Sequence, residues 1–188
     1  MTGVLASFIA MALGGRELSP DLSTFEILFF RSLIGLAVVL ALLGQNGWRQ
    51  IRTKKPGLHV VRNFAHYAGQ FGWFFGIGLL PLAQVFALEF TTPIWIAILA
   101  PLLLKERLSG TRIAAIAIGF AGALIILRPG MVPIDTAAMG VLMAAAGYAL
   151  SHTLTKKLSA TDTPLCILFY MTVVQLPLGL APSLFDWV

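Results

Sequence analysis

The sequence predicts an all-α polytopic membrane protein, and three observations carry that reading. Hydrophobic residues make up 58% of the 188 positions and charged ones only 11%. A soluble core of this size cannot hide so much apolar surface, so the bilayer is the expected solvent. The apolar residues run in seven continuous stretches, without the alternation that a membrane barrel requires. The last two stretches echo the first two, which points to a repeat.

A helix needs about 20 mostly apolar residues to cross the hydrocarbon core. The expected spans are Gly3–Leu18, Phe25–Gly44, Leu58–Leu80, Leu82–Leu104, Thr111–Leu127, Ala138–Thr155 and Leu165–Leu184. The first is short and ends near a charge, and Met1-Thr2-Gly3 offers no basic region of the kind that opens a secretory signal. It therefore reads as a span. The single cysteine, Cys166, lies inside a span as a small apolar filler and rules out an intramolecular disulfide.

The net charge of +5 does not indicate nucleic acid, because the basic residues are segregated. With the N-terminus cytoplasmic, one face collects Arg49, Arg52, Lys54, Lys55, Arg62, Lys105, Arg107, Arg112, Lys156 and Lys157. The other face holds only Arg16 and Arg128, and Arg31 lies within a span. Ten against two is a positive-inside pattern. The connections are short: Arg49–Pro56 inside, Leu80-Pro81-Leu82 as a tight outer turn, and Arg128 through Asp135 between the fifth and sixth spans.

The repeat organises the chain. Gly3-Val4-Leu5 recurs as Gly140-Val141-Leu142, 137 positions later, and Ile27-Leu28-Phe29-Phe30 recurs as Ile167-Leu168-Phe169-Tyr170, 140 later. Trp48 finds a rough counterpart in Trp187. Five spans precede the second copy, so that copy begins on the opposite face and runs inverted. Inverted repeats are the architecture of many secondary transporters, with the site near the midplane between the halves. The expected division is residues 1–130 as the first repeat and residues 135–188 as the start of the second, with its last three helices not present in this chain.

Phe29-Phe30-Arg31-Ser32, Pro81-Leu82-Ala83, Thr92-Pro93, Lys105-Glu106-Arg107-Leu108, Gly119-Phe120-Ala121-Gly122 and Arg128-Pro129 together resemble the EamA-like family of the drug/metabolite transporter superfamily. The resemblance covers essentially the whole chain. It implies ten helices in two inverted five-helix repeats. The expected function is transport of a small organic metabolite, proton exchange being one candidate for the coupling, and the expected location is the bacterial inner membrane.

Six residues are the candidates for substrate binding or coupling: Arg31, His66, Gln70, Glu89, Thr92 and Trp95. Charges inside spans are costly unless paired or facing water. Arg31 and Glu89 each lie roughly 9–10 Å below the outer boundary at ~1.5 Å per residue, so a direct pair between them is expected. Glu89 is also a candidate proton carrier. His59, Arg62, Asn63, His66 and Gln70 share one face of the third span. His59 and Arg62 are expected to snorkel to the headgroups, and His66 and Gln70 to line a polar cavity. Pro93 and Pro101 interrupt the fourth span and Pro177 the seventh. Such breaks free carbonyls that Thr91, Thr92 or a substrate can satisfy. Trp95 offers an aromatic face nearby.

Ala115-Gly119-Ala123 and Ala68-Gly72-Gly76 carry the small-residue spacing of close helix contacts, and the former is a candidate homodimer face. No catalytic residue, cofactor or metal site is expected: the three histidines lack a carboxylate or thiol at ligand spacing, and no nucleophile elbow or phosphate loop occurs. One rival reading, an intramembrane enzyme on lipid or isoprenoid substrates, would have only the His66, Gln70 and His152 region to work with, and a third reading is a non-transporting truncated fragment. The expected partners are the bilayer, a small-molecule substrate, protons and a second copy, with no nucleic acid.

Overall fold

The structure, a computed structural model, describes residues 2–127 and 136–185. Eight α-helices fill these residues: α1 (Thr2–Leu18), α2 (Thr24–Asn46), α3 (Pro56–Leu79), α4 (Leu82–Glu89), α5 (Thr92–Leu104), α6 (Gly110–Leu127), α7 (Thr136–Leu158) and α8 (Pro164–Ser183). A single 3-10 turn, Trp48–Ile51, joins α2 to α3. Because α4 and α5 are the halves of one crossing, the helices give the seven segments expected. Five are long and apolar enough to span a membrane: α2, α4 with α5, α6, α7 and α8. The remaining two are α1, which is 17 residues long, and α3, whose 24 residues include the polar stripe.

The break in the fourth crossing has a local cause. Pro93 has no N–H, so the Glu89 carbonyl cannot receive the helical hydrogen bond it would otherwise have. Thr91 repairs the turn from the other side, its Oγ1 donating to Leu88 O at 2.7 Å. Pro101 and Pro177, by contrast, sit inside α5 and α8 without dividing them.

Lipid tails are as apolar as leucine, so helix association in a membrane depends on close packing and interhelical hydrogen bonds. Here α3 is central and packs most extensively on α7, while α2 packs along α8 and α5 along α7. Leu28, Trp73, Ile77, Val85 and Val141 form the buried core where α2, α3, α4 and α7 meet. The α3–α7 contact depends on small residues: a Cβ at Gly72 would lie 2.6 Å from Gly140 O, and one at Gly147 would lie 2.8 Å from Ala65 O. The Gly72 and Gly76 part of the expected small-residue motif is thus used for packing. In the fifth-span motif Ala123 is buried, whereas Gly119 has open space around it.

The turn between α1 and α2 matches the turn between α7 and α8 bond for bond. Ser19 N donates to Gly15 O at 3.1 Å and Ser159 N to Thr155 O at 2.8 Å; Leu22 N donates to Leu18 O and Asp162 N to Leu158 O, both at 2.9 Å. The following helices start alike too, Ser23 capping Glu26 N and Thr163 capping Cys166 N. All these pairs share the 140-residue offset of the Ile27/Ile167 match, and the Gly3/Gly140 echo at 137 falls three positions out of register. Trp187 and the expected repeat boundary at 130–135 lie outside the described residues.

Contacts also group the connections by end of the bundle. Lys156 Nζ lies 2.6 Å from Glu106 Oε1, and Thr53 Oγ1 donates to Asp162 Oδ2 at 2.6 Å, so the segments rich in Lys and Arg gather at one end. At the opposite end Arg16 NH1 donates to Leu80 O at 3.2 Å, joining the C-termini of α1 and α3.

Candidate functional site

Three of the six candidates meet in a polar layer at mid-bundle. With the Gln70 amide on α3 assigned the orientation that satisfies both its ends, its oxygen accepts from Arg31 on α2 and its nitrogen donates to Gln175 Oε1 on α8 at 2.9 Å. Gln175 Nε2 lies 2.9 Å from His66 Nδ1 and 3.3 Å from Asn63 O. An amide nitrogen can only donate, so His66 Nδ1 accepts and its proton is assigned to Nε2. Gln70 and Gln175 are each only 2% exposed, so the two amides sit in a dry environment where leaving either unpaired is costly. Arg31 itself stays exposed, at the open edge of the layer.

The network continues along α3 toward the basic end. Asn63 Nδ2 donates to Tyr170 O at 2.9 Å, Arg62 NH1 to Asn63 Oδ1 at 2.6 Å, and Arg62 Nε to Thr155 Oγ1 at 2.9 Å. The stripe on one face of α3 therefore becomes the seam against α7 and α8.

The expected Arg31–Glu89 pair does not form among the described residues. Arg31 is occupied by Gln70, and Glu89 Oε2 accepts from Trp73 Nε1 at 2.7 Å. Each charge is met by a neutral side chain of α3 instead of by the other charge. The snorkelling expected of His59 and Arg62 is also overturned: both are buried, His59 against the α7–α8 turn and α8, and Arg62 against Thr155 of α7. His59 Nε2 lies 2.7 Å from Asp162 Oδ2, and the ring stacks on Tyr170 with centroids 4.4 Å apart.

Glu89 and Thr92 belong to a second region. Together with Leu5, Phe8, Ile9, Phe86, Phe90 and Pro93 they line a cavity of about 540 Å³ between α1 and the α4–α5 break. The Thr92 hydroxyl is buried without a hydrogen-bond partner among the described residues. Trp95 lies further along α5 and is 39% exposed. The structure thus divides the six residues: Arg31, His66 and Gln70 in the central layer, Glu89 and Thr92 at the lateral cavity, Trp95 in neither.

Two residues of consequence escaped the sequence reading. Gln175 joins the layer from α8; its signal was a lone amide within an otherwise apolar run. Trp73 holds Glu89, and nothing in the spacing distinguishes it from a packing tryptophan. No histidine has a carboxylate or thiol at ligand spacing along the chain, yet in space His59, Asp162 and Cys166 place donor atoms within 4.8 Å of one another. They come from α3, the α7–α8 turn and α8, so linear spacing could not reveal them. Asp162 Oδ2 is already engaged by His59 and Thr53, and the group reads as a hydrogen-bonded tie between the start of α3 and the α7–α8 turn. Burial pushes the Asp162 carboxyl up, but the bonds from Thr53, His59 and Thr161 outweigh it and hold the group below the ordinary aspartate value.

The chain is 26% identical over 173 residues to an S-adenosylmethionine uptake transporter of Rickettsia prowazekii, covering 92% of this chain and 59% of the relative. It is 34% identical over 155 residues to a riboflavin transporter of Brucella anthropi, covering 82% of the chain and 55% of the relative. With a pseudopaline exporter of Pseudomonas aeruginosa it shares 30% identity over 95% of the chain and 65% of the relative. The chain therefore spans roughly half to two-thirds the length of the curated relatives it matches. No solved structure matches it. The model of the EamA-like transporter family matches residues 1–128, and the chain belongs to that family.

Proposed function

We propose that this chain handles the substrate in a multi-pass secondary transporter of the bacterial inner membrane, its N-terminus cytoplasmic, moving a small organic metabolite in exchange for protons. The observation that carries the reading is the amide pair Gln70–Gln175, which ties α3 of the first repeat to α8 of the second beside His66 and Arg31. Buried polar side chains inside a helical bundle are expensive and mark substrate or ion paths. An inverted-repeat transporter binds at the interface between its halves, and a polar layer shared by α3 and α8 supports that reading. The identical hydrogen bonding of the α1–α2 and α7–α8 turns supports two copies of one unit, residues 1–130 and 135–188. The names of the relatives support a small organic cargo carried without chemical change. A homodimer through the exposed face of α6 is part of the same proposal.

The test is uptake of labelled S-adenosylmethionine and of riboflavin into proteoliposomes. Gln70→Leu and Gln175→Leu should each lower the initial rate about tenfold or more at unchanged protein level. Wild-type rates in both variants for a substrate that is carried would remove the amide pair from the path.

A further inference from the structure

We infer that the lateral cavity at the α4–α5 break is a binding site for an organic cation, with Glu89 as its counter-ion. The volume of about 540 Å³ lies within the roughly 300–1,000 Å³ of small-molecule sites. A carboxylate at this depth is costly unless matched by positive charge. Glu89 has a single hydrogen bond, from Trp73 to Oε2, and no Lys, Arg or His within ion-pair distance among the described residues. The nearest expected cation, Arg31, is committed to Gln70. The charge therefore faces a cavity and lacks its partner.

Three further features select the same kind of ligand. Phe8, Phe86 and Phe90 line the cavity, and Phe8 lies within 5.4 Å of Trp73 and 5.6 Å of Phe86, centroid to centroid. Aromatic faces attract a diffuse cation and do little for a compact, strongly hydrated ion. Pro93 leaves the Glu89 carbonyl without its helical donor, so an acceptor is free at the break. The Thr92 oxygen, buried and unpartnered, supplies another acceptor at the same place. Carboxylate, carbonyl, hydroxyl and aromatic faces together suit a quaternary ammonium or sulfonium group on a small organic body.

That the bound cation is also cargo rests on the transport reading above; the binding itself does not. The experiment titrates the protein in lipid nanodiscs with benzyltrimethylammonium and with its uncharged carbon isostere, neopentylbenzene, by calorimetry. The cation should bind at least ten times more tightly than the isostere. Glu89→Gln, which keeps an acceptor for Trp73, should abolish that preference while the helical melting curve is retained. Phe86→Leu should weaken the cation several-fold and leave the isostere nearly unchanged. Equal binding of the two probes to the wild type, no cation binding by protein that still melts cooperatively, or a preference that survives Glu89→Gln would overturn the site. Cation binding without transport of any cation would leave the site standing and remove only its role in cargo selection.

Discussion

Trp73 Nε1 donates to Glu89 Oε2 at 2.7 Å, three residues along α3 from the Gln70 that accepts from Arg31. One helix thus holds a cationic and an anionic side chain apart, each by a neutral partner. A hydrogen bond to a charged group contributes about 1.5–3 kcal/mol, and removing the donor leaves the acceptor unsatisfied. Trp73→Phe should destabilise the protein by at least that amount, since it also removes volume from a side chain only 1% exposed. Thermal unfolding in micelles measures it. In a double-mutant cycle with Glu89→Gln the two costs should be less than additive. Full additivity would mean that the bond contributes nothing.

The tie between His59, Thr53 and Asp162 predicts a pH dependence whose sign follows from its partners. The Asp162 carboxyl is held below its ordinary value in the folded protein, against burial, by hydrogen bonds from Thr53, His59 and Thr161. A carboxyl depressed on folding contributes stability above its unfolded value, about 3.9. That contribution is lost as pH falls through the folded value. His59 faces Asp162 from α3 and Cys166 faces it from α8. Melting temperature should therefore fall on acidification below about pH 4, and the fall should be shallower in Asp162→Asn. An identical acid limb in wild type and variant would remove Asp162 as its source.

Much of this architecture was legible because membrane helices declare themselves by length and composition. The seven crossings stand where the apolar runs stand, and the break falls at Pro93 because proline removes a donor there. Pairings across the bundle were less legible. Depth along a helix follows from counting residues, and equal depth was the whole basis for pairing Arg31 with Glu89. Azimuth does not follow from counting, so their true partners, Gln70 and Trp73, stayed hidden. His59 and Asp162 lie 103 positions apart and meet only because the α7–α8 turn folds against the start of α3.

Close packing of α3 on α7 makes opposite predictions for two glycines that look alike in sequence. A Cβ at Gly72 would meet Gly140 O at 2.6 Å, backbone that cannot swing aside, whereas Gly119 has nothing within 4 Å. Gly72→Val should cost roughly 1–3 kcal/mol through overpacking, read as a lowered melting temperature. Gly119→Val should be nearly neutral in the monomer. If Gly119→Val instead lowers the melting temperature of a cross-linkable dimer, the homodimer face of α6 gains support. Equal effects at both sites would contradict the α3–α7 contact.

The grouping of connections by end of the bundle makes topology testable residue by residue. Thr53, Asp162, Glu106 and Lys156 meet at one end, and Arg16 and Leu80 meet at the other. The first end carries most of the Lys and Arg residues, and short loops rich in them stay cytoplasmic. Cys166 is buried, and replacing it by serine leaves no native thiol to react. In that background Gln50→Cys and Ser109→Cys should resist an impermeant maleimide in intact cells and react once the membrane is opened. Asp21→Cys, in the exposed turn between α1 and α2, should react without permeabilisation. The reverse pattern would invert the protein in the membrane. Mixed labelling, with Gln50 and Ser109 on opposite sides, would break the contact-defined grouping, because Lys156–Glu106 and Thr53–Asp162 tie both segments to the α7–α8 end.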